Sequence, residues 1–121
     1  MSATLQEIQN AVNSEIMRDY PNNLTRDLQN LVVLGLTEEA GEVAGLRKRN
    51  LRNNARDVGR GGREEYIDEL GDVLWYLAAC CALFSTDLDE IWQMNRQKLE
   101  ERYGRTECEG QCKLPESLYP G

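Results

Sequence analysis

The sequence contains no histidine. Histidine is the usual proton shuttle near neutral pH and the commonest metal-binding side chain in proteins. Its absence excludes catalytic triads that use histidine and zinc centres with histidine ligands. It also argues against a di-iron bundle, because those sites are built from Glu-x-x-His pairs on two helices.

Long apolar runs and proline are also scarce. The longest nearly charge-free run, residues 73–86, is too short to span a bilayer, and no secretory signal peptide is recognisable at the amino terminus. The net charge of −7 argues against general binding to nucleic acid or to an anionic membrane surface. We therefore expect a cytoplasmic protein with no nucleic-acid partner and no membrane partner.

Proline occurs only at positions 21, 115 and 120, strand signals are weak, and apolar residues recur with helical spacing. The 121 residues fit one domain. The pattern predicts helices at about residues 3–19, 24–50, 63–84 and 86–104, with a longer connection at 51–62. We therefore predict an all-α, four-helix bundle-like protomer over residues 1–104 and an irregular tail over 105–121. A domain this small would gain stability from oligomerisation.

The helix ends carry recognisable capping signals. Thr4 and Glu7 predict a capping box on the first helix. Ser85 or Thr86 is expected to cap the fourth helix, and Gly104 is expected to end it.

The four cysteines form two pairs. Cys80 and Cys81 are adjacent in an apolar run, and neighbours on a helix cannot easily bridge each other, so we expect reduced thiols in the core. Cys108 and Cys112 lie in the tail at a spacing that suits a metal or a disulfide. No second pair completes a zinc site, so the role of the tail pair stays open.

Two predicted helices each carry a pair of acids on one face. Glu39 and Glu42 are three residues apart, and so are Glu69 and Asp72. Glu39 falls on the apolar stripe of its helix, and Asp72 is the only charged residue in the run 70–86. An ionised carboxylate without a partner in an apolar setting costs on the order of several kcal/mol. Four converging carboxylates would also repel one another, and a divalent cation resolves both problems.

These side chains offer only hard oxygen ligands, which suit Mg²⁺ or Mn²⁺ better than Zn²⁺. Mg²⁺ usually keeps some waters and takes further ligands from substrate phosphates, so the pattern points to phosphoryl chemistry. The alternatives are solvated helix faces, or salt bridges from Glu42 or Glu69 to arginine. The run around Asp72 supplies no local basic partner for such a bridge.

Half of the fourteen Lys and Arg residues lie between positions 47 and 63. Basic residues at the end of a helix also complement its dipole, but this does not account for Arg56 and Arg60 in the predicted loop. We interpret that loop as a basic segment that closes over a polyphosphate. Lys98 and Arg102 share a face of the fourth helix, which the residues alone do not distinguish from a solvated surface.

The two acidic blocks resemble those of the MazG-type nucleotide pyrophosphohydrolases. They read LTEEAGEV at residues 36–43 and DELGDVLWYL at residues 68–77. A third block, Asn95-x-x-Lys98-Leu99-x-x-Arg102-Tyr103, resembles the same family. The arginine-rich segment 47–63 and the cysteine-containing tail are not part of the pattern.

The resemblance implies an all-α NTP pyrophosphatase fold in a homodimer or homotetramer. It implies Mg²⁺-dependent cleavage of nucleoside triphosphates to monophosphate and pyrophosphate. It places the metal ligands at Glu39, Glu42, Glu69 and Asp72. It gives Glu38 a role in catalysis or in support of the ligands, and it assigns phosphate contacts to Lys98 and Arg102.

As a mechanism, Glu38 is the best candidate to accept the proton of an attacking water, because it adjoins the ligand Glu39. Basic side chains would balance the phosphate charge: Lys98, Arg102, Arg56 and Arg60. The base-binding residues are not determined. The first helix and the aromatic residues Trp75, Tyr76 and Trp92 are candidates, although such residues more often belong to a core or an interface.

Two other functions remain open. One is a related phosphoanhydride hydrolase, specific for dUTP or dCTP, for phosphoribosyl-ATP or for a signalling nucleotide. The other is a non-enzymatic helical dimerisation module. The enzyme is favoured because buried acids reduce stability without serving a pure scaffold.

Overall fold

The computed structural model describes residues 2–22, 24–52, 62–104, 110 and 112–118. Within these residues the chain forms four helices: α1 at Leu5–Asp19, α2 at Thr25–Arg52, α3 at Gly62–Leu83 and α4 at Leu88–Tyr103. One 3₁₀ turn follows at Glu116–Leu118. The all-α class is confirmed, and the helices end within two residues of the predicted positions. The division into residues 1–104 and 105–121 stays a prediction, and the connection 53–61 lies outside the described residues.

The predicted ends of α1 and α4 are mostly confirmed. The Thr4 hydroxyl accepts a hydrogen bond from the Glu7 amide at 3.1 Å, and the Thr4 amide donates to the Glu7 carboxylate at 3.3 Å. This is the capping box, which satisfies amides that have no partner inside the helix. Gly104 ends α4 with a φ of 73°, and its amide donates to the Glu100 carbonyl at 2.9 Å.

The predicted cap of α4 is wrong. Asp87, and neither Ser85 nor Thr86, accepts the hydrogen bond from the Glu90 amide, at 2.7 Å. The reason lies in the turn after α3. Ser85 adopts a φ of 60°, and the Thr86 amide donates back to the Cys81 carbonyl at 2.9 Å. The chain is still closing α3 at these two positions, so α4 begins after them.

The pair of helices that carries the acids is antiparallel. The Cys80 thiol of α3 donates to the Val32 carbonyl of α2 at 3.3 Å. Nearer the other end, the Asn50 amide donates to the Tyr66 hydroxyl at 3.1 Å. Residue numbers therefore rise along α2 as they fall along the facing α3. This register sets the acids of α2 opposite those of α3.

A buried glutamine joins three of the helices. Gln9 of α1 is 2% exposed, donates to the Ala78 carbonyl of α3 at 2.8 Å and accepts from the Leu88 amide of α4 at 3.0 Å. The second bond satisfies an amide of the first turn of α4, which has no acceptor inside its own helix. The core around Gln9 is formed by Val12, Ile16, Val32, Ala78, Ala79, Cys81 and Leu88.

The cysteine predictions are resolved in part. Cys80 and Cys81 are free thiols, and Cys81 is buried in the core, as expected. Cys112 is disulfide-bonded, which favours the disulfide interpretation of the tail over the metal interpretation. Cys108 lies outside the described residues.

Some apolar surface remains uncovered in the protomer. Ile67, Leu70 and Leu74 lie along one side of α3 at helical spacing, and each is about half exposed. Leu31 of α2 is also about half exposed. None of the helices in the described part of the chain is both long enough and apolar enough to cross a membrane.

Candidate metal centre and nucleotide cleft

The acids of α2 and α3 face each other because each helix places residues three apart on one side. The antiparallel register pairs Glu39 with Asp72 and Glu42 with Glu69. One carboxylate oxygen from each of three residues lies within 4.8 Å of the other two: Glu39, Glu69 and Asp72. In an octahedral Mg²⁺ site with bonds of about 2.1 Å, opposite ligand oxygens are about 4.2 Å apart. The cluster is therefore close to the spacing that a cation of this size requires.

The electrostatics of the cluster favour a cation. Reduced access to water raises the pKa of Glu39 above its ordinary value, and the charges of neighbouring acids, Asp72 first, raise it further. The pKa of Glu69 is raised for the same reasons, with Glu42 as the leading charge. Among the described residues the ion pairs are Arg18–Asp19 and Arg49–Glu65, so no described arginine or lysine forms an ion pair with the cluster. A divalent cation would supply the missing positive charge.

Glu42 is close to the cluster without belonging to it. Its oxygens are not among those that converge within 4.8 Å, yet its charge acts on Glu69. Glu38 is exposed and also lies outside the convergent group, although its charge contributes to the raised pKa of Glu39. Both acids border the centre formed by the other three.

The apolar setting expected for Asp72 is absent from the protomer. Asp72 is exposed, and its sequence neighbours Leu70 and Leu74 are themselves about half exposed. Neighbours in a helical sequence point in different directions around the axis, so an apolar run does not by itself bury the charge within it. The mutual proximity of the acids, and not burial of Asp72, therefore favours a bound cation.

A cleft of about 310 Å³ opens beside the cluster. Its lining consists of Asp19, Tyr20, Glu39, Asp72, Trp75 and Tyr76. Trp75 and Tyr76 were expected near a base, and so was the first helix, at whose end Asp19 lies. Neither Asp19 nor Tyr20 was named as a site residue. Their one sequence signal is position, since they precede the Pro21 turn and so end the helix beside the bundle.

Trp92, the third aromatic candidate, lies elsewhere. It lines an apolar groove of about 370 Å³ between α1, α3 and α4, together with Leu74, Leu77 and Ile91. The Arg96 guanidinium lies over the Trp92 ring, 4.5 Å from its centroid. A cation stacked on the exposed ring accounts for the position of Trp92 without a nucleotide.

A glycine of α2 fixes the position of the Tyr76 ring. A Cβ atom at Gly35 would overlap that ring, at 2.5 Å from Cδ1 and closer still to Cε1. Gly35 lies one turn before Glu39, and Tyr76 lies one turn after Asp72. The missing side chain therefore lets the ring pack against α2 at the edge of the acidic cluster. Solvent exclusion and the nearby acids raise the pKa of the Tyr76 hydroxyl, which stays protonated and can donate a hydrogen bond.

Two of the four predicted phosphate-binding residues, Lys98 and Arg102, are not brought to the cluster in the protomer. Lys98 and Arg102 are exposed on α4, which packs against α1, and the described lining of the cleft includes no residue of α4. Arg56 and Arg60 lie outside the described residues. Arg49 of α2 forms an ion pair with Glu65, one turn before Glu69, so basic side chains do occur at that end of the α2–α3 pair.

Comparison with known families gives a match that contains the whole acidic cluster. The family model of the MazG nucleotide pyrophosphohydrolase domain matches residues 28–105. This chain belongs to the MazG family. The family's nucleotide pyrophosphohydrolase domain therefore includes Glu38, Glu39, Glu42, Glu69, Asp72, Lys98 and Arg102 of this chain, whereas Asp19 and Tyr20 precede the matched span.

The chain is also similar to a curated phage protein. The Gene 37 protein of Mycobacterium phage L5 is 35% identical over 79 residues, which cover 65% of this chain and 69% of that protein. Its name describes no activity. The search of solved structures gave no significant match.

Proposed function

We propose that the chain is a Mg²⁺-dependent enzyme that hydrolyses nucleoside triphosphates, ribo or deoxy, to a nucleoside monophosphate and pyrophosphate. Mn²⁺ is expected to substitute for Mg²⁺. The observation that carries the proposal is the convergence of Glu39, Glu69 and Asp72 within 4.8 Å, inside a nucleotide pyrophosphohydrolase domain and beside a cleft. An all-oxygen ligand set of this kind suits a hard cation that shares its coordination with phosphates.

The residues present fit such an ion. Glu39, Glu69 and Asp72 would hold it, and Glu42 would complete the set from its position beside Glu69. The bound metal would offset charge developing on the phosphates and make a bound water more acidic. The raised pKa values of Glu39 and Glu69 mean that loading would compete with protons, which makes metal binding stronger as pH rises.

Glu38 is the proposed general base. It is exposed, adjoins Glu39 in sequence, and is not one of the three acids whose oxygens converge. A carboxylate that does not bind the metal can accept the proton of the attacking water. Attack on the α or β phosphorus would then release pyrophosphate.

Basic side chains would balance the remaining charge on the polyphosphate. We assign this role to Arg56 and Arg60 from the connection between α2 and α3, and to Lys98 and Arg102 from α4. Because α4 packs against α1 in the protomer, Lys98 and Arg102 would reach the cluster from a second copy of the chain.

A homodimer or homotetramer is the proposed assembly. The half-exposed stripe of Ile67, Leu70 and Leu74 on α3 is the kind of apolar surface that a second copy covers. Sedimentation should show an oligomer that Leu70→Glu dissociates, with helical circular dichroism retained. A wild-type protein that sediments as a monomer at all concentrations tested would contradict this assembly.

The function is tested by a panel of NTPs and dNTPs with Mg²⁺, scored for pyrophosphate and for phosphate. Wild type should release pyrophosphate, and Asp72→Asn and Glu39→Gln should abolish turnover while leaving the circular dichroism intact. Glu64→Gln is a matched control, because it removes an exposed acid of α3 that lies outside the cluster.

Other outcomes would redirect the assignment. Phosphate release in place of pyrophosphate, or activity confined to dUTP, dCTP, phosphoribosyl-ATP or a signalling nucleotide, would indicate a related phosphoanhydride hydrolase. An absence of both turnover and Mg²⁺ binding would leave a helical dimerisation module. Full activity in both cluster variants would refute the site.

A further inference from the structure

The cleft beside the acidic cluster has two chemically different ends. Its lining holds two acids of the cluster, Glu39 and Asp72, and the rings of Tyr20, Trp75 and Tyr76. The same three rings line a separate apolar recess that neither acid lines, and they therefore mark an aromatic end. The Trp75 and Tyr76 rings are edge-to-face, with centroids 5.1 Å apart. A volume of about 310 Å³ is at the lower end of the range for small-molecule sites, roughly 300–1,000 Å³.

The aromatic end continues into a small apolar recess. This recess holds about 50 Å³, and its lining adds four aliphatic residues to the three rings: Ile16, Leu28, Leu31 and Val32. Flat aromatic surfaces next to an apolar recess favour a planar, stacking occupant. If the phosphates of a nucleotide lie at the metal centre, as the proposed function requires, the base lies at this end.

One further charged side chain of the cleft, Asp19, adjoins Tyr20 in the chain. Asp19 lines the cleft, and the Arg18 guanidinium donates to its two carboxylate oxygens at 2.8 and 3.1 Å. This pairing lowers the pKa of Asp19, so its carboxylate stays ionised. An ionised carboxylate can only accept hydrogen bonds, and its further lone pairs remain available beside those used by Arg18.

An acceptor-only group discriminates between bases. The exocyclic amines of cytosine and adenine donate hydrogen bonds, and Asp is a known acceptor for the cytosine amine. Uracil and hypoxanthine carry a carbonyl oxygen at the equivalent position, which a carboxylate repels. The discriminating residue would therefore be Asp19, while Tyr20 and Trp75 would hold any base by stacking.

We infer that Asp19, Tyr20 and Trp75 form the nucleobase site of this enzyme, and that Asp19 selects bases that carry an exocyclic amine over their oxo counterparts. This inference rests on the proposed function, which places the phosphates at the acids. Asp19 and Tyr20 precede the span of the MazG match, so this selectivity belongs to the α1 segment of this chain and not to the matched domain.

The test compares two substrate pairs that differ by one amine-to-oxo exchange: dCTP against dUTP, and dATP against dITP. In wild type, kcat/KM should favour the amino member of the hydrolysed pair by about 10- to 100-fold, the effect of one hydrogen bond to a charged group. Asp19→Asn should reduce the preference to about threefold or less, because an amide both donates and accepts. Glu15→Gln, an acid one turn earlier on α1, should keep the wild-type preference.

Tyr20→Leu separates stacking from selection. It should weaken the binding of all four nucleotides by a similar factor, about 5- to 100-fold for the loss of one stacking ring, and leave the preference for amino bases unchanged. Equilibrium binding gives a second readout without turnover. Quenching of the Trp75 and Trp92 fluorescence by the α,β-imido analogues of dCTP and dUTP should show the same preference and the same response to Asp19→Asn.

The outcomes separate the two proposals. If pyrophosphate is released but the amino preference is near one, or if Asp19→Asn leaves it unchanged, the nucleobase inference fails and the proposed function stands. If no nucleotide is hydrolysed, the proposed function fails, and the imido analogues still decide whether the cleft selects amino bases.

Discussion

The contact between Gly35 and Tyr76 gives a test of the α2–α3 register that positions the acids. A Cβ atom at Gly35 would lie 2.5 Å from Tyr76 Cδ1 and closer to Cε1, which is shorter than side chains tolerate. Gly35→Ala must therefore push the ring away from α2. By contrast, a Cβ atom at Gly45, almost three turns further along α2, meets no atom within 4 Å among the described residues.

Two opposing effects set the magnitude. Replacing glycine by alanine inside a helix stabilises it by about 0.5–1 kcal/mol. Forcing an extra methyl group into an occupied space costs about 1–3 kcal/mol. Gly35→Ala should therefore destabilise the protein by up to about 2 kcal/mol, whereas Gly45→Ala should stabilise it by about 0.5–1 kcal/mol.

The sign of the Gly35→Ala effect should reverse when the ring is removed. In a Tyr76→Ala background the methyl group enters open space, so Gly35→Ala should stabilise by about 0.5–1 kcal/mol. Urea denaturation followed by far-ultraviolet circular dichroism measures all four members of the cycle. Protein concentration must be held constant, because assembly would shift apparent stability.

One result would refute the reasoning. If Gly35→Ala stabilises the wild-type background as much as Gly45→Ala does, the Tyr76 ring does not lie over Gly35. The register that sets Glu39 opposite Asp72 would then be wrong as well. The same conclusion would follow if the effects of Gly35→Ala and Tyr76→Ala on the free energy of unfolding were additive.

Three further predictions concern the rest of the protomer. Gln9→Leu should destabilise the protein by about 1–3 kcal/mol in urea denaturation, because it leaves the buried Leu88 amide of α4 without an acceptor. Gln6→Leu, at an exposed site, should change the stability little. Equal effects of the two substitutions would contradict the role of Gln9. The raised pKa of Glu39 means that the folded state holds this proton more tightly than the unfolded chain, so the metal-free protein should lose stability as pH rises from about 4.3 through the raised value. Thermal melts in EDTA should show that loss, Glu39→Gln should reduce it, and a flat profile would be evidence against the like-charge cluster. Burial raises the pKa of the Cys80 and Cys81 thiols, so iodoacetamide should label both slowly in the native protein and fully in urea. Rapid labelling of the native protein would contradict this burial.

Local signals in the sequence were sufficient to predict the helices and the pairing of acids within each helix. The Thr4–Glu7 box and the Gly104 end are interactions over three or four residues, which the sequence displays directly. The i, i+3 spacing of the acids is equally local. The cap of α4 was assigned to the wrong residues because the hydrogen bond from the Thr86 amide to the Cys81 carbonyl extends the end of α3. The residue type at position 86 does not indicate this hydrogen bond.

Contacts between helices could not be predicted from such signals. The residue type of Gln9 does not indicate burial, yet it lies between Leu5 and Val12 on the apolar side of α1 and bonds to residues about 70 positions away. The exposure of Asp72 depends on which side of α3 the other helices cover. The contribution of Asp19 and Tyr20 to the cleft depends on where α1 ends relative to α3, which only the packed bundle defines.

The most direct test of the metal centre is a titration of Mn²⁺ followed by electron paramagnetic resonance, which reports the free ion. Wild-type protein should remove Mn²⁺ from the free pool, and excess Mg²⁺ should return it. Asp72→Asn should abolish this binding, while Glu64→Gln should bind as wild type does. Failure of the wild type to bind Mn²⁺, with or without an α,β-imido nucleotide, or undiminished binding by Asp72→Asn, would contradict the assignment of Glu39, Glu69 and Asp72 as the metal ligands.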